Sequence, residues 1–316
     1  MAIGVKNFGK IGVLMGGPSS EREISLKSGK AVLAALKGLR LNAVAVDIKT
    51  DNVSRNLRLL EPMGISCAFL ALHGYFGEDG RIQGLLDALG IPYTSSGVLA
   101  SSLAMDKVAS RLIFSAKGLK VPRYKLINAR SAYSQEGILE GMKFPLVIKP
   151  ATSGSSIGLS IIEDKNKLMK AMKSASMHDK RVIIEEYIGG RELTVGILGK
   201  RALPVIEIIP GRKFFDFQAK YHPGLTQYVV PARLNKSLSE KIKKAALSAH
   251  ESLSCYGCSR VDIILDKAQN PVILEVNTIP GLTSTSLLPK ACKAAGIGFE
   301  KLCLKLIDLA YEKEQD

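Results

Sequence analysis

The stretch Ile11-Gly-Val-Leu-Met-Gly-Gly-Pro-Ser-Ser-Glu-Arg-Glu-Ile-Ser25 reads as a strand, a break and the start of a helix. Residues 11–15 form a short apolar run, the pattern of a buried strand. Gly16-Gly-Pro-Ser-Ser20 interrupts it with turn-forming residues. Ser20-x-x-Glu23 has the spacing of a capping box, and Ile24, Ala31, Val32, Ala35, Leu36 and Leu39 follow at helical intervals. The pattern continues downstream. Residues 42–48 and 67–72 read as strands, the second running into His73-Gly74, and residues 80–89 as a helix stopped by Gly90 and Pro92. Alternating strands and helices predict a doubly wound parallel sheet with right-handed crossovers. Ligands of such sheets gather at the carboxyl ends of the strands, where both residues 16–21 and residues 73–80 fall.

Past Met105-Asp-Lys107 the pattern changes. Residues 107–117 read as a helix, 143–150 as a strand, 159–163 as a strand, 166–176 as a helix and 182–188 as a strand before Gly189-Gly190. Together they predict a small α+β unit. Strands at 192–198 and 202–209 lead into residues 211–231, which carry aromatics, Gly, Pro and Lys220 with little periodicity. Long aperiodic stretches inside compact domains are commonly lids. A helix at 238–253 and strands at 259–266 and 271–277 follow. The expected division is 1–106, 107–190 and 191–316, with a mixed α/β and α+β fold class.

Composition narrows the function classes. The 316 residues are 46% hydrophobic and 23% charged, which excludes wholesale disorder. At roughly 150 residues per domain this length suits two or three units. The formal charge is +15, and it is uneven: residues 1–106 carry 11 basic and 9 acidic side chains, the rest 33 and 20. Such a balance admits nucleic acid, an anionic membrane surface or a small anionic ligand, as well as a merely solvated lysine-rich surface. There is no Trp and only 6% aromatics, so the aromatic platforms that stack single-stranded bases are missing. The longest uncharged stretch, residues 88–105, holds Gly90, Pro92, Gly97 and a series of serines, a poor spanning helix. Five cysteines argue against a disulfide framework and for a reducing, cytoplasmic setting. Cys255-Tyr-Gly-Cys258 has no second pair at zinc-site spacing and reads as two ordinary thiols.

The sharpest cluster of chemistry lies in the last two strands. Arg260 and Asp262 are two apart, as are Glu275 and Asn277, so each pair shares one strand face. A turn at 267–270 sets Asp262 opposite Glu275 and Arg260 opposite Asn277. Converging carboxylates and an amide oxygen suit Mg²⁺ shared with phosphate. The same residues also make an ordinary cross-strand ion ladder. Thr152-Ser-Gly-Ser-Ser-Ile-Gly158, after Lys149-Pro150, can cradle phosphate on backbone N–H groups or serve as a plain hairpin turn. No Walker A loop and no Gly-x-Gly-x-x-Gly occurs.

These pieces, together with Leu72-His-Gly74, Gly77-Glu-Asp-Gly80, Met105-Asp-Lys107, Val147-Ile-Lys-Pro150, Gly154-Ser-Ser-Ile-Gly158, Ala219-Lys-Tyr221, Arg260-Val-Asp262 and Glu275-Val-Asn-Thr-Ile-Pro-Gly281 through Ser284-Thr-Ser-Leu287, resemble in order and spacing the D-alanine–D-alanine ligases of the ATP-grasp superfamily. The resemblance spans nearly the whole chain. It implies an N-terminal doubly wound domain followed by a two-part ATP-grasp fold. It implies ATP-dependent joining of two D-alanines through an acyl phosphate, for peptidoglycan. It implies ATP and two Mg²⁺ or Mn²⁺ ions per site, no nucleic-acid or membrane partner, and a homodimer.

The resemblance also distributes roles. Asp262, Glu275 and Asn277 match the metal ligands. Arg260 and the backbone N–H of Gly281 match the groups that steady the phosphoryl group and the tetrahedral oxyanion. Glu21 matches the acceptor of the first substrate's ammonium and forms, with Ser155 and Tyr221, a triad that joins the domains when the lid closes. His73 matches the residue at the first substrate's carboxylate, and Lys220, Ser286 and Leu287 the subsite for the second carboxylate. Lys107 and Lys149 match the phosphate lysines, Glu185, Glu186, Tyr187 and Ile188 the hinge strand that meets adenine, Glu192 the ribose carboxylate and Phe214 a wall of the purine slot. Lys220-Tyr221 argues for a dipeptide over a depsipeptide product. Two other expectations stay open: an ATP-grasp ligase for another carboxylate and nucleophile, such as D-lactate or D-serine, and a basic nucleic-acid-binding protein with salt-sensitive affinity.

Overall fold

A computed structural model describes residues 8–129, 134–154, 157–211 and 226–312. Its first sheet is parallel, in the order β2-β1-β3, from β1 (Ile11–Gly16), β2 (Ala43–Ile48) and β3 (Cys67–Leu70). The alternation of side chains decides what each face meets. Ile11, Val13 and Met15 of β1 and Cys67 and Phe69 of β3 join Val32, Ala35 and Leu36 of α1 (Arg22–Gly38). Leu14, Ala68 and Leu70 face the other way, onto Leu60 of α2 (Val53–Leu60) and Ile82, Leu85 and Leu86 of α3 (Arg81–Ala88). The doubly wound expectation therefore holds. Gly29 lets α1 lie close, since a Cβ there would sit 2.5 Å from that of Met15.

The expected capping box does not form. Helix α1 starts at Arg22 with Glu21 at its N-cap, and no side chain caps it. Ser19 organises the turn instead. Its hydroxyl accepts the Glu21 N–H at 3.2 Å and donates to the His73 carbonyl at 2.7 Å. The loop is tied to the end of β3 through Ser19, and that tie draws Glu21 inward to a buried position.

The second sheet is antiparallel, in the order β4-β7-β5-β6, from β4 (Tyr124–Asn128), β5 (Leu146–Pro150), β6 (Ser160–Ile162) and β7 (Arg181–Glu186). The apolar helix α4 (Val98–Met105) and the amphipathic helix α5 (Lys107–Ala116) precede it. Asp106 caps α5 by accepting the N–H groups of Val108 and Ala109 at 2.9 and 3.1 Å. Helices α6 (Gln135–Leu139) and α7 (Leu168–Ser176) cover one face, where Ile138, Leu168 and Met172 meet Ile148, Val182 and Ile184.

The third sheet comprises β8 (Gly190–Leu198), β9 (Arg201–Ala202), β10 (Ile206–Pro210), β11 (Thr226–Val229), β12 (Cys258–Asp266) and β13 (Pro271–Asn277), with the main order β11-β10-β8-β12-β13. Residues 211–231, read as aperiodic, thus include a strand: β11 pairs antiparallel with β10, Ile208 opposite Tyr228. Ile242 and Ala246 of α8 (Lys236–Ser252) pack with Phe114 of α5 under this sheet. Helices α9 (Leu287–Ala294) and α10 (Phe299–Glu312) close the chain, and Leu302 and Leu306 of α10 enter the same core as α1, which ties the first and third sheets together. Among the described residues no helix is long and apolar enough to cross a membrane.

Candidate active site

Strands β12 and β13 pair as the spacing predicts, Arg260 opposite Asn277 and Asp262 opposite Glu275. Toward the turn the register slips: Ile263 faces Ile273, so Leu274 is a bulge. A bulge re-aims side chains. Here consecutive Leu274 and Glu275 are both partly exposed, where strict alternation would bury one. Leu274 lines one pocket and Glu275 another, so one irregularity serves two walls.

The Arg260 guanidinium donates to both Asp262 oxygens at 2.9 Å, and Thr194 Oγ1 donates to Oδ1 at 2.7 Å. Across the strand pair, Lys107 of α5 lies 3.3 Å from Glu275 and donates to the Ser153 carbonyl at 2.8 Å. Both alternatives for these residues thus meet here: they form an ion ladder, and they present two carboxylates and an amide oxygen on one face. Among the described residues no group of three or more His, Cys, Asp or Glu could hold a metal. The Asp262, Glu275 and Asn277 oxygens are hard donors suited to Mg²⁺, and they fit it when a ligand completes the shell.

This face borders a cleft of about 590 Å³. From the first sheet Glu21, His73 and Glu78 reach the same cleft. The His73 Nε2 lies 3.2 Å from Ser28 Oγ, which also accepts the Leu282 N–H at 3.4 Å. Burial pushes the His73 imidazole below its usual range, and Arg260 adds to this, against Glu21 and a backbone hydrogen bond with Ile279. Its neutral form is the one that the cleft holds. Glu78 accepts the Gly74 N–H at 2.5 Å. Burial, then Glu21, pushes its carboxyl up to about 8. Gly281 and Ser286 form the far wall. A Cβ on Gly281 would lie 2.8 Å from Ser286 Oγ, so only glycine admits this approach. Ser286 is the N-cap residue of α9, and its hydroxyl accepts the Thr283 N–H at 3.0 Å. With Leu287 it sets the first turn of α9 toward the cleft, an arrangement that suits a carboxylate.

Ile208 borders this cleft and a second pocket of about 360 Å³ between the second and third sheets. Val147, Ile161, Ile264 and Leu274 make its apolar walls, and Glu185, Glu186, Tyr187, Ile188 and Glu192 line its rim. The two consecutive glutamates part company. Glu185 is buried and binds Lys149 Nζ at 2.8 Å, whereas Glu186 accepts the Arg123 N–H at 3.0 Å at the strand edge. Lys149 is buried, and burial lowers its ammonium to about 8. A flat apolar slot with a buried lysine suits a nucleotide base and its phosphates.

Comparison with known proteins decides the family. Residues 113–308 match the family model described as D-ala D-ala ligase C-terminus, and residues 52–96 the model of its N-terminus. A D-alanine--D-alanine ligase of Pelotomaculum thermopropionicum is 47% identical over 312 residues, covering 96% of this chain and 97% of its own. The chain belongs to the D-alanine–D-alanine ligase family. The crystal structure of the Bacillus anthracis D-alanine--D-alanine ligase complexed with ATP is similar with a TM-score of 0.85 and 36% identity, over 97% of this chain and 99% of its own. The VanG D-Ala:D-Ser ligase of Enterococcus faecalis is similar with a TM-score of 0.81 and 31% identity, over 95% and 99%. Members of this ligase family use ATP.

Of the residues singled out from sequence, Glu21, His73, Lys107, Arg260, Asp262, Glu275, Asn277, Gly281, Ser286 and Leu287 line the larger cleft. Lys149, Glu185, Glu186, Tyr187, Ile188 and Glu192 line the second pocket. Ser155, Phe214, Lys220 and Tyr221 lie outside the described residues. Sequence reasoning assigned nothing to Glu78, Arg111 or Tyr228. Glu78 sits in the quoted Gly77-Glu-Asp-Gly80 motif, so its signal was available. Arg111 follows Lys107 by one helical turn, a weaker signal. Tyr228 is carried into the cleft wall by β11, a strand that periodicity did not reveal.

Proposed function

We propose that this chain joins two D-alanines into D-alanyl-D-alanine at the expense of ATP, for peptidoglycan. The observation that carries the reading is the meeting of the Arg260–Asp262–Glu275–Asn277 face with Glu21, His73 and Gly281 in one cleft, beside an apolar slot that ends in Lys149. A carboxylate is a poor electrophile. Transfer of the terminal phosphoryl group of ATP to an oxygen of the first D-alanine's carboxylate gives an acyl phosphate and ADP. The neutral amine of the second D-alanine then attacks the carbonyl carbon, the bond to the phosphate oxygen breaks, and phosphate leaves with that oxygen and takes up the proton that the attacking nitrogen sheds.

Each group in the cleft has a place in this sequence. Glu21 takes the ammonium of the first D-alanine and keeps it from acting as a nucleophile. Neutral His73 borders its carboxylate. Arg260 steadies the moving phosphoryl group, and then, with the Gly281 N–H, the oxyanion. Ser286 and the N-terminus of α9 at Leu287 hold the second carboxylate, with Lys220. Lys107 and Lys149 meet the phosphates, Glu185–Ile188 the adenine with Phe214 as a wall, and Glu192 the ribose. Ser155 and Tyr221 join Glu21 when residues 211–231 cover the cleft, which excludes water that would hydrolyse the acyl phosphate. Asp262, Glu275 and Asn277 would hold two Mg²⁺ or Mn²⁺ ions, which neutralise phosphate charge when bound. Residues 1–106, 107–190 and 191–316 act as three units around the cleft, in a cytoplasmic homodimer without nucleic-acid or membrane partners.

Mass analysis of products tests the substrate reading. With ATP, Mg²⁺, D-alanine and equimolar D-serine and D-lactate, the product expected is D-alanyl-D-alanine. A dominant D-alanyl-D-serine or D-alanyl-D-lactate product overturns it.

A further inference from the structure

Arg111 stands outside every role assigned above. It lies on α5 and is the largest wholly buried side chain among the described residues. Its guanidinium is ion-paired with Glu185 of β7, and the other Glu185 oxygen takes Lys149 Nζ of β5 at 2.8 Å. The same guanidinium lies 5.1 Å from the ring centroid of Tyr124 on β4, a cation–π contact. One chain of contacts therefore joins α5 to three strands of the second sheet. It holds two cations and one anion, all buried. Burying charges costs free energy, and replacing a whole buried ion group by apolar side chains is often neutral or stabilising. Glu185 and Lys149 both line the nucleotide pocket.

We propose that Arg111 is a positioning residue for the nucleotide: it occupies Glu185 so that the Lys149 ammonium stays in place with its charge available to phosphate. This rests on the reading that Lys149 meets the ATP phosphates. Charge balance sets the effect of Arg111. With Arg111 present, a single carboxylate is divided between two cations and the group keeps a surplus positive charge facing the pocket. Without it, Glu185 and Lys149 form a closed neutral pair, which attracts an anion far less.

The charges facing Lys149 give a readout that a structural role would not move. Burial is the largest cause of its lowered value of about 8; Glu185 opposes it, while Arg111 on α5 and Lys107 on α5 push the same way as burial. Lys149 is cationic below that value, so nucleotide affinity falls as pH rises through it. Removing Arg111 removes a lowering influence, and the alkaline limb of binding moves to higher pH.

The test is titration of the whole protein with the non-hydrolysable analogue adenylyl imidodiphosphate and Mg²⁺, from pH 6.5 to about 10, the range that brackets the Lys149 transition. Arg111→Met is expected to weaken binding at pH 7 by roughly tenfold to a hundredfold, the worth of one charge-assisted contact, and to move the alkaline limb upward. Arg111→Lys recovers most of both effects. Unchanged affinity with an unmoved limb in Arg111→Met overturns the proposal. Should Arg111→Met fail to fold, Tyr124→Leu removes the cation–π contact that holds the guanidinium, without removing its charge. It is expected to weaken binding severalfold and leave the limb in place, and unchanged affinity there overturns the proposal as well. Lys149→Met separates this from the underlying reading. If it binds the analogue as well as the parent protein, the role of Lys149 itself is wrong. If it binds poorly while Arg111→Met binds normally, the positioning role alone fails.

Discussion

The reaction cleft and the nucleotide pocket meet at Ile208, yet they keep their charges differently. In the cleft, Arg260 and Asp262 are two residues apart on one strand, with side chains 16% and 14% exposed. Beside the pocket, Arg111, Glu185 and Lys149 come from three separate elements, and their side chains are 0%, 4% and 9% exposed. A pair that borders a cleft and keeps some solvent access exchanges partners more readily when a ligand arrives. A buried one does not, because unpairing it costs about 3–5 kcal/mol. The cleft is thus built of charges that can change partners during a reaction, and the pocket of charges held in one arrangement before the ligand comes. In the proposed reaction Arg260 exchanges Asp262 for a phosphoryl oxygen, whereas Lys149 is held ready for phosphate.

If that division is real, substitutions in the two regions have opposite signatures. Arg260→Met is expected to lower kcat by about 10²–10³-fold, as loss of an oxyanion donor does. Binding of the ATP analogue, followed by calorimetry, stays within severalfold of the parent. Equal losses in turnover and nucleotide affinity would break the comparison. Lys149→Met is expected to do the reverse, weakening analogue affinity roughly tenfold to a hundredfold. Saturating ATP then restores much of the turnover in an ADP-release assay.

Gly281→Ala sharpens the account of the cleft wall. The added Cβ lies 2.8 Å from Ser286 Oγ, so Ser286 must swing away. A loss of about tenfold in kcat/KM for D-alanine is expected, within the usual 1–3 kcal/mol cost of overpacking, with the KM for ATP unchanged. The smallest effect is that of Glu78→Gln. The folded protein holds this carboxyl near 8 against a usual 4.5, because of burial and then Glu21. Between those values the folded chain binds the proton that the unfolded chain has shed, so the parent loses stability as pH rises across that window. The amide does not. Melting curves should show the variant gaining steadily on the parent as pH rises from 4.5 to about 8, and none of that gain at lower pH.

The contrast between the regions also governs what was legible in the sequence. Arg260, Asp262, Glu275 and Asn277 declare themselves because a strand's period puts neighbours two apart on one face. Their cross-strand pairing followed from the length of the turn. The bulge at Leu274 did not, since it depends on backbone placement and leaves no residue signal. Ser19 was hidden behind the capping-box spacing of Ser20 and Glu23, because the tie to His73 is a tertiary one. Arg111 and Glu185 are remote in sequence, and no local pattern announces their meeting. Helix α4 escaped notice for another reason. Its buried positions are the small Ala100, Ser101 and Ala104, while Val98 and Leu99 are exposed, so its apolar residues do not mark its inner face.

The most direct test of the central claim is ADP formation by the purified chain with D-alanine or L-alanine, each with and without Mg²⁺. ADP is expected with D-alanine and Mg²⁺, with one D-alanyl-D-alanine formed for each ADP, and only background in the other three mixtures. Equal ADP formation with L-alanine, or ADP without the dipeptide, would contradict it.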